Sequence, residues 1–130
     1  MTARTPEKKV DAAGPGTIKH YQYTEVPAKD VMMEGAFKVK MRLAVGKEHG
    51  APNFYMRIFE VEPGGYTPYH KHDFEHENYI MAGKGELVKE NGKEPLRPGD
   101  VVFMPGNVMH QYRNAGKGIF RFICLIPRTD

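Results

Sequence analysis

The chain has 130 residues, enough for one domain with little room for a second. Its single cysteine, Cys124, excludes an internal disulfide, and no apolar run approaches membrane-spanning length. Nineteen lysines and arginines stand against sixteen acids, a formal charge of +3. The only basic cluster is Arg4, Lys8 and Lys9, so nucleic acid is not expected as a partner, and nor is a membrane.

The first twenty residues hold no apolar leader, and the expectation is a soluble protein in a reducing, cytoplasmic setting. Residues 1–16 are polar, with Pro6, Gly14, Pro15 and Gly16, and read as an N-terminal arm, either solvated or held by a partner subunit. Residues 17–130 are expected to form a single domain. Ala28 to Gly35 offers at most one helical turn. Phe37, Val39, Met41, Leu43 and Val45 alternate with Lys38, Lys40 and Arg42, the period of two of a strand with one wet face. Phe54 to Glu62 is apolar on both faces near its start, and Pro63-Gly64-Gly65 reads as a turn. Asn78 to Ala82 and Glu86 to Glu90 follow as strands, with Asn91-Gly92 a tight hairpin turn. Val101 to Met104, Met109 to Arg113 and Gly118 to Ile126 complete the set. No stretch sustains a 3.6-residue period. Many short strands separated by glycine and proline turns predict an all-β sandwich or barrel.

Three of the six histidines fall within seven residues: His70, His72 and His76. On a strand, His70 and His72 project from one face about 7 Å apart, and a bend can return His76 to the same point. His110 stands near the start of a later strand. An isolated H-x-H is most often a surface pair, so the surrounding residues decide. His76-Glu77 is not an H-E-x-x-H zinc helix, because Ile80 occupies the second histidine's place. Zinc deaminases need paired cysteines, and neither a G-x-S-x-G elbow nor a P-loop is present.

Gly64 precedes His70 by six positions, Gly83 follows His76 by seven, and Gly99, Pro105 and Asn114 bracket His110. These residues resemble the two motifs of the cupin superfamily, G-x5-H-x-H-x3-4-E-x6-G and G-x5-P-x-G-x2-H-x3-N. The second motif's glycine is displaced, with Gly106 beside Pro105 and Asn107 at the expected place, where asparagine tolerates left-handed backbone. The family glutamate has two candidates, His76 and Glu77. Counting back from Gly83 and Tyr79 puts His76 in that position, and the chain then resembles the tetra-histidine, manganese-binding small cupins. Glu77 is left as either a carboxylate supporting a ligand imidazole or a solvent-facing charge.

The resemblance implies a double-stranded β-helix, or jelly-roll barrel. It implies one divalent ion on His70, His72, His76 and His110, with Mn(II) favoured over Fe(II), Ni(II), Cu(II) and Zn(II). It makes Phe120, Phe122, Cys124 and Ile126 pocket wall, although plain core packing would look the same in sequence. Arg57, a charge mid-strand, either anchors a substrate carboxylate beside the metal or pairs with an acid on a neighbouring strand. Pairing of sheets between small cupins, with the two-faced apolar strand Phe54 to Glu62, implies a homodimer. The leading functional expectation is an oxygen-using oxidase or dioxygenase acting on a small organic molecule. A non-redox isomerase or lyase is the alternative among enzymes, and a non-catalytic binding protein the alternative outside them.

Overall fold

A computed structural model describes residues 16–130. The expected arm therefore lies outside the described residues, Gly16 excepted. Nine strands carry the fold: β1 (Lys29–Asp30), β2 (Phe37–Val45), β3 (Phe54–Tyr66), β4 (His76–Ala82), β5 (Gly85–Lys89), β6 (Gly92–Leu96), β7 (Val101–Met104), β8 (His110–Asn114) and β9 (Phe120–Pro127). The only helices among the described residues are two three-residue 3-10 turns, and none is long and apolar enough to cross a membrane.

All strands join one antiparallel sheet in the order β6-β5-β8-β3-β9-β4-β7, with β2 on β3 and β1 on β2. β3 makes this sheet curl. Its first eight residues pair with β9, while its far end meets β8 only at Tyr66 opposite Arg113. Between those partners the chain must bend, and Pro63-Gly64-Gly65 is where it does so. This stretch is a bulge inside one long strand, not the expected turn: Phe37 pairs with Tyr66 and Val39 with Val61, so residues 62–65 face Lys38 alone. Both sides show the distortion, Gly64 at φ 84° and Lys38 at φ 57°. A Cβ on Gly65 would lie 2.6 Å from the Phe37 carbonyl oxygen. The result is the expected all-β jelly-roll architecture.

Alternation along the strands builds the interior row by row. Met41, Phe59, Phe122 and Ile80 lie side by side across β2, β3, β9 and β4. Val39, Val61 and Phe120 form the row on one side of them. On the other side runs Leu43, Arg57, Cys124, Asn78 and Val102, a row with three polar members inside an otherwise apolar sheet. Phe120 and Phe122 are essentially fully buried, each contributing about 1.5–3 kcal/mol of apolar burial.

The outer face is covered unevenly. Ile58 points outward from β3 yet is buried, in a depression that it lines together with Tyr21 and Tyr23 of the preceding segment; the Tyr21 hydroxyl donates to the Ala44 carbonyl. Arg42 donates to the Val26 carbonyl at 2.6 Å, and both Arg42 and Arg121 pair with Glu60. So the apolar outer side of β3 is partly covered by the chain's own N-terminal segment.

Other departures from expectation have local causes. Ala28 to Gly35 forms β1 and a turn closed by Ala36 N–H to the Met33 carbonyl, with no helical turn. β6 was not expected: Gly-Lys-Glu-Pro-Leu has no apolar alternation, and as an edge strand it needs none. The β5–β6 hairpin turns at Glu90-Asn91, one residue early, with Gly92 paired to Lys89. β4 starts at His76, two residues before the expected strand.

The two motif glycines separate two kinds of constraint. Gly64 and Gly83 share φ 84°, but a Cβ on Gly64 would meet nothing, whereas on Gly83 it would overlap the Ile119 carbonyl oxygen. Gly64→Ala should cost only the left-handed strain, about 1–2 kcal/mol. Gly83→Ala should cost clearly more, since backbone must also move. Urea denaturation of both variants checks the ordering, and equal losses would contradict it.

Candidate metal centre

His70 and His72 lie in the extended segment after β3, not on a strand. One bridge ties this segment to β8: His70 N–H to the His110 carbonyl at 3.1 Å and the reverse at 2.9 Å. Asn107 N–H donates to the His72 carbonyl at 2.6 Å. That bond depends on the loop before β8. Asn107 adopts φ 63°, the left-handed conformation expected of it. Gly106 is a glycine for another reason: a Cβ there would sit 2.5 Å from the Asp73 carbonyl oxygen. Asn114 closes the far end of β8, donating to the Val61 and Gly118 carbonyls and accepting from Gly116 N–H.

Three of the four histidines converge in the interior, and the fourth, His76, approaches His110 from β4. Ligand nitrogens of His70, His72 and His110 all lie within 4.8 Å of one another. His76 enters from β4, its Nε2 3.3 Å from Nε2 of His110 and its ring centroid 5.1 Å from that of His72. His76 and His110 are almost wholly buried.

The partners of the outer nitrogens fix the tautomers. Nδ1 of His72 lies 2.8 Å from the Phe74 carbonyl, and Nδ1 of His110 lies 2.7 Å from the Val108 carbonyl. A carbonyl only accepts, so both Nδ1 atoms carry the hydrogen. Nδ1 of His76 lies 3.0 Å from Asn78 Oδ1. Each of these rings therefore presents a bare Nε2 lone pair to the interior. The 3.3 Å approach of two such lone pairs is unfavourable with nothing between them. It is the separation of two nitrogens each roughly 2.1 Å from a shared ion. A divalent cation fits this donor set.

The same burial favours the neutral form of His70, His76 and His110. Desolvation, then the neighbouring His110, His72 and Arg57, lowers His76 to about 3, against a smaller upward effect from Asn78. His70 and His110 are lowered as well, chiefly by burial.

A cavity of about 340 Å³ opens on the cluster. Its walls include Met41, Phe59, Phe74 and Phe122 with Arg57, Lys71, Tyr112 and Cys124, and no carboxylate among the described residues lines it. Of the four expected wall residues, Phe122 and Cys124 border the cavity. Phe120 instead packs against Gly85 in the core, and Ile126 borders a separate surface depression. Arg57 faces the histidine cavity. It donates from Nη2 to Cys124 Sγ at 3.0 Å and lies over the Phe59 ring at 5.1 Å. Its Nε is buried without a hydrogen-bond partner, and no carboxylate pairs with it among the described residues. The ion-pair alternative finds no partner among the described residues. Burial raises the Cys124 thiol, with Arg57 opposing, and burial raises the Tyr112 phenol.

Glu77 lies on the opposite side of β4 with Asp73 and Glu75, where a hydrogen bond with Glu75 raises its carboxyl. The residue that supports a histidine is the next one, Asn78. Sequence reasoning passed over it; the available signal was its place two after His76, on the same strand face.

Residues 57–126 match the cupin domain family, and the chain belongs to it. In structure it is similar to the polyketide cyclase RemF from Streptomyces resistomycificus, with a TM-score of 0.83 at 31% identity over 87% of this chain and 81% of that one. In sequence it is similar to 1-methylthio-D-xylulose 5-phosphate methylsulfurylase of Rhodospirillum rubrum, 31% identical over 71 residues, 55% of this chain and 46% of that protein. It is also similar to the protein SchB of Streptomyces halstedii, 33% identical over 86 residues, 62% of each. The chain thus spans less than two thirds of either sequence relative.

A histidine held neutral by burial makes the metal-free fold acid-sensitive. For a folded pKa below the unfolded value near 6.5, the unfolded chain binds more protons as pH falls, so stability present above 6.5 is lost toward about 3. In chelator-treated protein, Tm should fall between pH 6.5 and 4.5, and less steeply in His76→Gln. Parallel slopes for the two proteins would contradict this.

Proposed function

We propose that the chain is a metal-dependent enzyme that activates a carbonyl-bearing, anionic small organic molecule without net oxidation, in the manner of a cyclase, isomerase or lyase. The observation that carries this reading is the charge pattern of the cavity: neutral donors around the ion site, an Arg57 with no acidic partner, and no carboxylate in the walls. The likeness to the polyketide cyclase RemF, which extends over most of both chains, supports it.

The ion set proposed is one divalent metal on His70, His72, His76 and His110, with Mn(II) favoured by the resemblance to tetra-histidine cupins. When bound, such an ion supplies a Lewis acid that polarises an oxygen of the substrate. The protein's own residues do the rest. Arg57, which lines the cavity and has no acidic partner among the described residues, binds the substrate's negative group through its guanidinium. Phe59, Phe122 and Tyr112 form a continuous aromatic wall, with ring centroids 5.3 and 4.8 Å apart in sequence, which excludes water and suits a flat, conjugated ligand. Cys124, Tyr112 and Thr67 are the wall side chains besides the imidazoles that carry an exchangeable proton on an uncharged atom.

A second reading, an oxygen-using oxidase or dioxygenase, is favoured by one feature: an all-imidazole donor set suits redox-active iron, manganese and copper as well as zinc. Reaction of polycarbonyl and phenolic carboxylate substrates with the metal-loaded protein, followed by mass spectrometry and oxygen uptake, tests both. Isomerised or cyclised product of unchanged or dehydrated mass without oxygen consumption supports the first reading. Stoichiometric oxygen uptake replaces it with the second.

Arg57→Ala should leave metal content and fold intact and weaken binding of carboxylate ligands about ten- to a hundred-fold, measured by calorimetry. Loss of folding in this variant would contradict the anchor role. The proposed assembly is a homodimer formed through the outer face of β4 and β7, where Tyr79, Val101 and Phe103 stand exposed. Light scattering should give twice 14.8 kDa, and Val101→Lys with Phe103→Lys should return one chain's mass.

A further inference from the structure

We infer that Asn78 is the positioning residue of the metal centre, placed in the core to hold His76 in the tautomer and orientation that present Nε2. This rests on the four-histidine reading above. Asn78 is 2% exposed and sits between Cys124 and Val102 on the inward face of the sheet. A side-chain amide buried there without partners would cost about 1–3 kcal/mol. Its hydrogen bonds show what it is for.

Nδ2 donates to the Ile123 carbonyl at 3.2 Å. That bond turns Oδ1 toward the cluster, where it accepts from His76 Nδ1 at 3.0 Å and from the Tyr112 hydroxyl. Oδ1 has two lone pairs and both are used. Flipping the amide would set Nδ2 against two donors and Oδ1 against a carbonyl oxygen, so the orientation is locked from both ends. Tyr112, itself buried and packed on Phe122, is the second lock.

His76 differs in this respect from its neighbours. The Nδ1 hydrogens of His72 and His110 go to main-chain carbonyls, which no side-chain substitution removes. Only His76 depends, among these three, on a replaceable side chain. The acceptor is also a neutral amide, so it fixes the ring without placing a negative charge behind it.

The test uses the full chain, stripped with chelator and titrated with Co(II) against a competing chelator, with the visible Co(II) spectrum recorded. Asn78→Leu removes the acceptor at similar volume, and should lower Co(II) affinity about ten- to a hundred-fold and change the spectrum. Asn78→Asp keeps an acceptor for His76 and Tyr112 but faces the Ile123 carbonyl with an oxygen. It should melt at lower temperature than the native chain yet bind Co(II) at least as tightly. This split between stability and affinity is one that a merely structural asparagine would not produce. Native affinity and spectrum in Asn78→Leu, or a more than tenfold loss in Asn78→Asp, overturns the assignment; the aspartate variant decides it alone if the leucine variant does not fold. A His76→Ala chain that binds Co(II) as tightly as the native one overturns the four-histidine reading, and the positioning role with it.

Discussion

Three imidazole N–H groups turned outward, so that three lone pairs turn inward, is the constraint on which the rest of this structure depends. Each N–H needs an acceptor in a buried or partly buried place, and each acceptor comes from a different part of the fold. Phe74 supplies one from the loop before β4, Asn78 one from β4 itself, and Val108 one from the loop before β8. Each acceptor lies only two residues from its own ring, so these bonds orient the rings locally, and contacts between segments more than thirty residues apart must set the register. The left-handed Asn107, the close approach of Gly106 to Asp73 and the bridge between His70 and His110 follow as the means of keeping that register.

The inward face of the sheet shows what this costs in packing. Two rows of side chains are apolar, and the row Leu43, Arg57, Cys124, Asn78, Val102 interrupts them. A local rule broken in the core marks function more reliably than surface polarity does. Arg57 and Asn78 break it in opposite ways. Every polar atom of the Asn78 side chain has a partner within the protein, so it serves the protein's own geometry. Arg57 has an unpartnered Nε and no acid among the described residues, which is why the proposed function gives it an anionic ligand.

Charge is segregated across β4. Acids gather outside, with Asp73, Glu75 and Glu77 around one surface depression, while the histidine cavity holds only neutral and positive groups. Consecutive residues on a strand face opposite ways, and this alone sends His76 inward and Glu77 outward. An acid in the cavity would offset the positive charge of Arg57 and Lys71 there.

The sequence by itself determined the period-two strands, the all-β class and the four histidines, because glycine spacing, alternation and ligand spacing are properties of short windows. It also placed His76 rather than Glu77 toward the interior, since register to Gly83 is a matter of counting. What the tertiary structure decided was everything that depends on partners far along the chain. Whether Pro63-Gly64-Gly65 turns or bulges was set by its pairing with Phe37 and Val39, and whether β6 is a strand by its place at the sheet edge. Which of Phe120, Phe122, Cys124 and Ile126 reach the cavity was set by the rows into which β9 falls, not by their shared face. The place of Asn78 two after His76 was readable, but the carbonyl that orients its amide comes from β9 and the Tyr112 hydroxyl from β8, and only the folded register brings these to it.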